Sequence, residues 1–415
     1  MRKIIIRDNQ AIFPFNEPAR DLRVLNKPLW LQQRDVLALY ATEELEVSSF
    51  NEIDSLRVET IVHRDNLFFD QAFVNEFIRR ARQVGKACQV AFATDDPAIK
   101  AHALPLQRGI RREGDVYVAD MWYFPHGRDP IVRPLVVDLG AHEMGYYHVP
   151  SHMSNQRGDL VYQVPVRAFC SIEHWVHTVT ANVIFGVFAN GARLDLESER
   201  LSKQLRLLWR GILERKQFHS CSDVVHIGRD CSIDPTAIIK GPTFIGDHVN
   251  IGPGAVIDVS IIGDNVNIMQ GGQVQLSVVA DRCYLPFRAA LFMSTIMEDS
   301  MLAQNTCLQF CSVGRNTFIG AGTTFTDFNL VPKPIRAPQH GALQDTGMPV
   351  LGGCVGHNCF VGSGLVVYPA RAIESDVVLL ASAARRVIDR NVYYEDGDHF
   401  AIKNGADLHE RLYPR

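Results

Sequence analysis

The chain has 415 residues, 47% of them apolar and 21% charged, a composition that supports a sizeable folded core and excludes a disordered chain or a lone small binding module. Lys+Arg 42 against Asp+Glu 46 leaves a formal net charge of −4, so no overall positive field draws the molecule to nucleic acid or to an anionic membrane. The nine cysteines contain no C-x-x-C pair, which reads as free thiols in a chain long enough to need no disulfides.

The first apolar stretch, Ile4 to Ile6, ends at Arg7 and Asp8. It is too short for a signal-peptide core or a transmembrane helix, so a cytoplasmic location with no membrane span is expected. That stretch reads as a strand. Leu29 to Tyr40 reads as a helix, Ile61 to Val62 as a strand end, Phe73 to Val84 as a helix and Gln89 to Ala93 as a strand. This alternation predicts an α/β layer fold with a mostly parallel sheet.

His142, Glu143, His148 and His152 bring zinc-type ligands together, but the spacing is not H-E-x-x-H and Pro150 argues against one helix. A hydrogen-bonded loop is the competing expectation. Trp175 to Phe188 reads as helical, and Glu197 to Lys216 as an amphipathic helix with Leu201, Leu205, Leu208 and Ile212 on one face. The first domain is expected to span residues 1–218, ending in the polar stretch Gln217 to Asp223.

From Ile227 an aliphatic residue followed by Gly or Asp recurs every sixth position. It is seen at Ile227-Gly228, Ile233-Asp234, Ile245-Gly246, Ile251-Gly252 and Ile257-Asp258, then one residue early at Ile262-Gly263, and later at Val313-Gly314, Ile319-Gly320, Val355-Gly356 and Val361-Gly362. An aliphatic side chain at every sixth residue points into a narrow triangular prism, and the following small or turn-forming residue rounds a corner between short parallel strands. The second domain is therefore expected over 222–390 as an all-β left-handed parallel β-helix. A proline-rich loop at 331–349 leaves it, and a tail at 391–415 packs on its last coil. Prisms with flat faces commonly pack about a three-fold axis, so a homotrimer is expected. His340 on the extruded loop and His357 at a coil corner are the candidate general bases, because imidazole titrates near working pH. His248 occupies a similar corner, and corner side chains ordinarily face solvent.

Several segments carry a family resemblance. Phe13-Pro14-Phe15-Asn16, Leu22-Arg23-Val24-Leu25-Asn26-Lys27-Pro28-Leu29 and Arg64-Asp65-Asn66 are similar to motifs of sugar-1-phosphate nucleotidyltransferases with a hexapeptide-repeat tail, including the bifunctional enzyme that makes UDP-N-acetylglucosamine. Gly314 to Thr323, leading to Asp327-Phe328-Asn329, is similar to that enzyme's G-A-G-T-x-x-x-N-Y-D segment. The resemblance implies a nucleotidyltransferase-like first domain and assigns Lys27, Asn66, Asp327, Phe328 and Asn329 to substrate binding. It implies Asp65 as a Mg²⁺ ligand, acyl-CoA as a cofactor, and an activated sugar as substrate. Asp65 as a turn or cap residue is the competing reading.

Departures from the family accompany the matches. The family's G-x-G-T-R loop is replaced by Arg7, Asp8, Asn9, Gln10 and Ala11, and Gln304 stands where its catalytic His would be. Pyrophosphorylase chemistry is therefore expected to be lost. The expectation is a transferase of nucleotide-sugar or acyl-sugar metabolism, with acyl transfer ahead of nucleotidyl transfer; the alternative is a non-catalytic sugar-nucleotide-binding protein or trimeric scaffold.

Overall fold

The computed structural model describes all residues except 55, 150–157, 199–200, 330–332, 340 and 400–408. They form two compact units. The first holds residues 1–12, 17–149 and 158–181; the second holds 13–16 and the chain from 182 onward.

In the first unit, Ile4, Ile6, Val62 and Phe124 form an apolar layer of a seven-stranded sheet. Its strands run in the order Arg133–Val136, Cys88–Ala93, Val116–Phe124, Thr60–Arg64, Arg2–Ile6 and Glu43–Val47, with Ile110–Glu113 paired on Val116–Phe124. The α/β class is as the alternation predicts, and the sheet is mixed. Arg2–Ile6 is parallel to both its neighbours, while Val116–Phe124 is antiparallel to all three of its own. The helix Gln71–Val84 starts where the Asp70 carboxylate accepts the Phe73 amide and stops at the left-handed Gly85, a matched pair of end signals. It buries Phe73 and Phe77, and Phe73 meets Phe169 at 4.8 Å between ring centroids.

Ala141–Val149, which carries His142 and His148, is a strand paired with Gly158–Pro165 rather than a loop. Its partner lies across a connection that local spacing does not reveal. His142 is exposed there. Among the described residues no group of three or more His, Cys, Asp or Glu could hold a metal; His152 lies outside those residues.

The second unit contains three eight-stranded parallel sheets that close into a left-handed β-helix. Each coil contributes one short strand to each sheet, from Val225–Ile227 to Val387–Ile388. Inward aliphatics such as Ile245, Ile262, Val279, Ile296, Val313 and Val355 stack into one continuous core, which is where a six-residue aliphatic period must lead. The early restart at Ile262 has a structural cause. Ser260, Ser277 and Ser294 recur at a separation of 17 residues, and each hydroxyl accepts the amide of the next rung, at 3.2, 3.0 and 3.0 Å. The coils along this run are thus one residue shorter than three hexads, with the shortened corner turned by left-handed Val259, Leu276 and Met293. Buried hydroxyls satisfy the amides that the tight corner would otherwise leave unpaired.

The two helices Ala189–Ser198 and Leu201–Glu214 precede the prism. No helix among the described residues is long and apolar enough to cross a membrane.

Candidate functional site

The chain leaves the prism after the strand Thr324–Phe325 and returns where the Leu351 amide meets the Asp327 carbonyl at 2.8 Å. Between these points Arg336–Gln339 and Ala342–Asp345 pair as an antiparallel hairpin, held at its base by Thr346 N to Ile335 O at 3.0 Å. The extruded loop is therefore partly a structured ribbon. His340 lies between its strands in sequence and outside the described residues. Beside the ribbon is a cavity of about 370 Å³ lined by Pro338, Leu343, Arg371, Asp389, Arg390, Asn391, Tyr393 and Asp396. The Arg371 Nε is buried there without a hydrogen-bond partner. Burial lowers its pKa, opposed by the Asp389 charge. A guanidinium with an unpartnered Nε in a cavity favours an oxyanion as its ligand. Sequence reasoning missed Arg371, Arg390 and Tyr393, since no spacing links residues that become neighbours only when the ribbon folds over the last coils.

Asp327, Phe328 and Asn329 follow one another at the root of the excursion, all partly buried. Burial raises the Asp327 carboxyl above the usual carboxylate range, and Asn329 donates to the Lys333 carbonyl at 3.2 Å. His357 lies elsewhere, on the coil after the excursion. Its ring is fully buried, 5.0 Å from Phe15 and 4.8 Å from Tyr413 between centroids, and its Nδ1 accepts the Arg315 amide at 2.9 Å. The expectation that corner side chains face solvent holds for His248 and fails for His357, because segments distant in sequence cover that corner. A base must reach its substrate, so this placement gives His357 a packing role.

The cover over His357 has its own polar frame. Ser375 donates from its amide and hydroxyl to the Pro14 carbonyl, at 3.0 and 2.9 Å. Asp376 accepts the amides of Leu412 and Tyr413, at 2.9 and 2.6 Å. Fully buried Glu374 pairs with Arg415 at 2.8 Å and accepts from Asn16 and the Tyr394 amide. The Phe13-Pro14-Phe15-Asn16 segment thus completes the end of the β-helix.

In the first unit, Asp65 sits at the carboxyl end of Thr60–Arg64, next to the end of the parallel Arg2–Ile6. Such strand ends are where open α/β sheets bind ligands. Gln33 fixes the turn by donating to the Asp65 and Leu67 carbonyls at 3.1 and 2.6 Å. The Asp65 carboxylate accepts the Asp8 amide at 2.8 Å, while Arg20 and Arg7 approach it at 3.3 and 3.8 Å. Both arginines also reach Glu46, at 3.4 and 3.0 Å. Burial pushes the Asp65 carboxyl up to about 7; the Asp8 amide and Arg7 oppose this, and the Asp8 and Glu46 charges reinforce it. A divalent cation needs several free oxygens about an open position. Here guanidinium groups and an amide already occupy the surroundings of the carboxylate, so the donor set does not fit Mg²⁺. Asn66 is buried and donates to the Ser171 hydroxyl at 3.3 Å, and Lys27 pairs at the surface with Asp35 at 2.6 Å. Neither side chain joins the Asp65 cluster. His177 is buried, with Nε2 2.8 Å from the Pro105 carbonyl.

Residues 225–258 match the family described as "Bacterial transferase hexapeptide (six repeats)". Among solved structures, the chain is similar to a protein from Desulfovibrio desulfuricans G20 provisionally named an acetyltransferase. The two are 17% identical over 40% of this chain and 27% of that one, with a TM-score of 0.23. The chain thus spans about a quarter of that protein's length. No curated protein matches.

Proposed function

We propose that the protein is an acyl-CoA-dependent acyltransferase of nucleotide-sugar or acyl-sugar metabolism, assembled as a homotrimer through its prism. Its first unit is a nucleotidyltransferase-like fold that has given up pyrophosphorylase chemistry. The observation that carries this reading is the transferase hexapeptide pattern at 225–258, continued as a single prism to Ile388 and bearing a ribbon beside an arginine-lined cavity. In this reading Arg371 and Arg390 hold phosphate oxygens of the acyl donor, since a guanidinium pairs with phosphate in a planar, two-pronged geometry. Asp327, Phe328 and Asn329 hold the acceptor sugar, and His340, between the ribbon's two strands in sequence, removes the acceptor's proton. In the first unit Arg7 and Arg20, paired with Glu46 and set beside the Asp65 carboxyl, close the strand ends, in place of the glycine-lined phosphate loop and metal of the nucleotidyltransferases.

A second reading, a non-catalytic sugar-nucleotide-binding or scaffold protein, is favoured by Gln304 at the family's histidine position and by the enclosed ring of His357. A thermal-shift panel separates the two, because a ligand at 100 times its Kd stabilises the folded state by about 2.7 kcal/mol. Acetyl-CoA is expected to raise the Tm of the wild type and not of Arg371→Ala, with His340→Ala keeping the shift and losing label transfer from radiolabelled acetyl-CoA to an amino-sugar nucleotide. No shift with acetyl-CoA and no label transfer would replace the acyltransferase by the scaffold.

A further inference from the structure

The helix Leu201–Glu214 of the second unit is amphipathic in a way its own unit does not use up. Leu207 is 1% exposed and packs with Cys221, Val224 and Val225. Gly211 lies on the same side, where a Cβ would come within 3.1 Å of the Lys216 carbonyl. This inward face is narrow. The opposite face carries Leu205, Leu208, Trp209, Ile212 and Leu213, exposed at 66, 50, 64, 71 and 59%. Five side chains of that size present on the order of 500 Å² of apolar surface, most of the roughly 800 Å² per partner of a standard interface and comparable with the largest, often functional, patch of a monomer.

The spacing and the charges say what covers it. Leu205, Leu208 and Ile212 follow the alternating three-and-four step of a helix–helix seam, and Leu201 extends it by sequence one step earlier. Three of the basic residues near the seam are engaged within the chain. Arg206 and Arg210 both turn to Asp223 of the same chain, at 2.8 and 3.4 Å, and Lys216 approaches Glu214 at 3.8 Å. A lipid surface would be met by free cationic side chains flanking the apolar ridge; here the two arginines of the helix body share a carboxylate instead. A ridge stepped as a seam, with both arginines of the helix body already paired within the chain, fits a like ridge.

We propose that Leu201–Glu214 is an association helix that packs its Leu205–Leu208–Ile212 ridge against the same helix of a second copy of the chain. The inference rests on the homotrimer reading and locates a contact for it outside the prism.

The test is oxidative cross-linking of full-length Leu208→Cys, with wild type and Leu39→Cys, at a site 75% exposed on the first unit, as controls. On mild copper-phenanthroline oxidation, Leu208→Cys is expected to form a disulfide-linked pair at least tenfold faster than either control. Leu205→Glu/Leu208→Glu/Ile212→Glu is expected to weaken assembly at least tenfold on dilution, read by light scattering. Cross-linking no faster than Leu39→Cys, with a trimer mass retained by the triple variant, overturns the association helix and leaves the prism trimer standing. A monomeric wild type overturns both. Sedimentation of wild type with phosphatidylserine-containing vesicles, lost in the triple variant and unaccompanied by cross-linking, would reassign the ridge to a lipid surface.

Discussion

Asp65 shows how one buried carboxyl makes stability depend on pH in an unusual direction. Its folded pKa is about 7 against an ordinary value of 3.8, so between these values the folded state holds a proton that the unfolded state has lost. Stability therefore falls as pH rises through that window, by at most about 1.4 kcal/mol per pH unit. Two buried imidazoles in the same unit act oppositely. Burial pushes His63 and His102 down to about 4 from 6.5, so between those values the unfolded state holds the extra protons and stability rises with pH. The opposing slopes partly cancel in the wild type. Asp65→Asn removes one side, and its Tm is expected to climb more steeply than that of the wild type between about pH 4 and 6.5 and to stay level with pH above it. A Tm–pH curve parallel to the wild type's would show that Asp65 ionises normally in the fold.

The coil is the unit of stability in the second half of the chain, and its two inner ladders differ in how they hold. Aliphatic rungs such as Leu291, 1% exposed, contribute burial; the serine rungs contribute acceptors for amides that have no other partner. Leu291→Ala is expected to cost about 2–5 kcal/mol in urea unfolding, from lost transfer energy and the cavity left in a prism too narrow to collapse. Ser277→Ala strands the Ser294 amide, which its hydroxyl accepts at 3.0 Å, and is expected to cost about 1–3 kcal/mol although it removes a single oxygen. Equal stability of Ser277→Ala and wild type would mean that water replaces the hydroxyl at that corner. Left-handed Asn316, Asn358 and Asp376 form a third set of rungs, linked side chain to side chain at 2.9 and 2.8 Å. The bonds of Asp376 to the amides of Leu412 and Tyr413 carry this set into the chain's last residues.

At the scale of the whole molecule the thiols report on both units at once. Seven cysteines are buried and only Cys231 and Cys307 are partly accessible. Burial pushes Cys88 up to about 11 and Cys283 to about 12, and raises Cys170, Cys311, Cys354 and Cys359 further. Thiolate is the reactive form, so native protein is expected to give no more than two fast-reacting thiols with a disulfide reagent at pH 8, and all nine after denaturation. Seven or more fast thiols in the native protein would mean that the coils open on the timescale of labelling.

The local chemistry of the chain settled its elements. The six-residue aliphatic period names the prism because each short strand supplies one inward side chain at that step, and Asp70 and Gly85 bound their helix by side-chain and backbone preferences that act within a few residues. The 17-residue serine recurrence was also present in the sequence, visible as the early restart at Ile262, though its meaning needed the shortened corner to be seen. Contacts between distant segments were not written in any local pattern. Phe15 and Tyr413 come from opposite ends of the chain to bury His357. Ala141–Val149 is a strand because of a partner beyond a connection. Arg371 and Arg390 line one cavity only because a ribbon folds over them, and two arginines crowd the carboxylate that motif similarity assigned to a metal. Periodicity and capping are short-range effects, carried by neighbouring residues. Burial, exposure and the company a charge keeps are set by closure of the whole chain, and only the tertiary structure decides them.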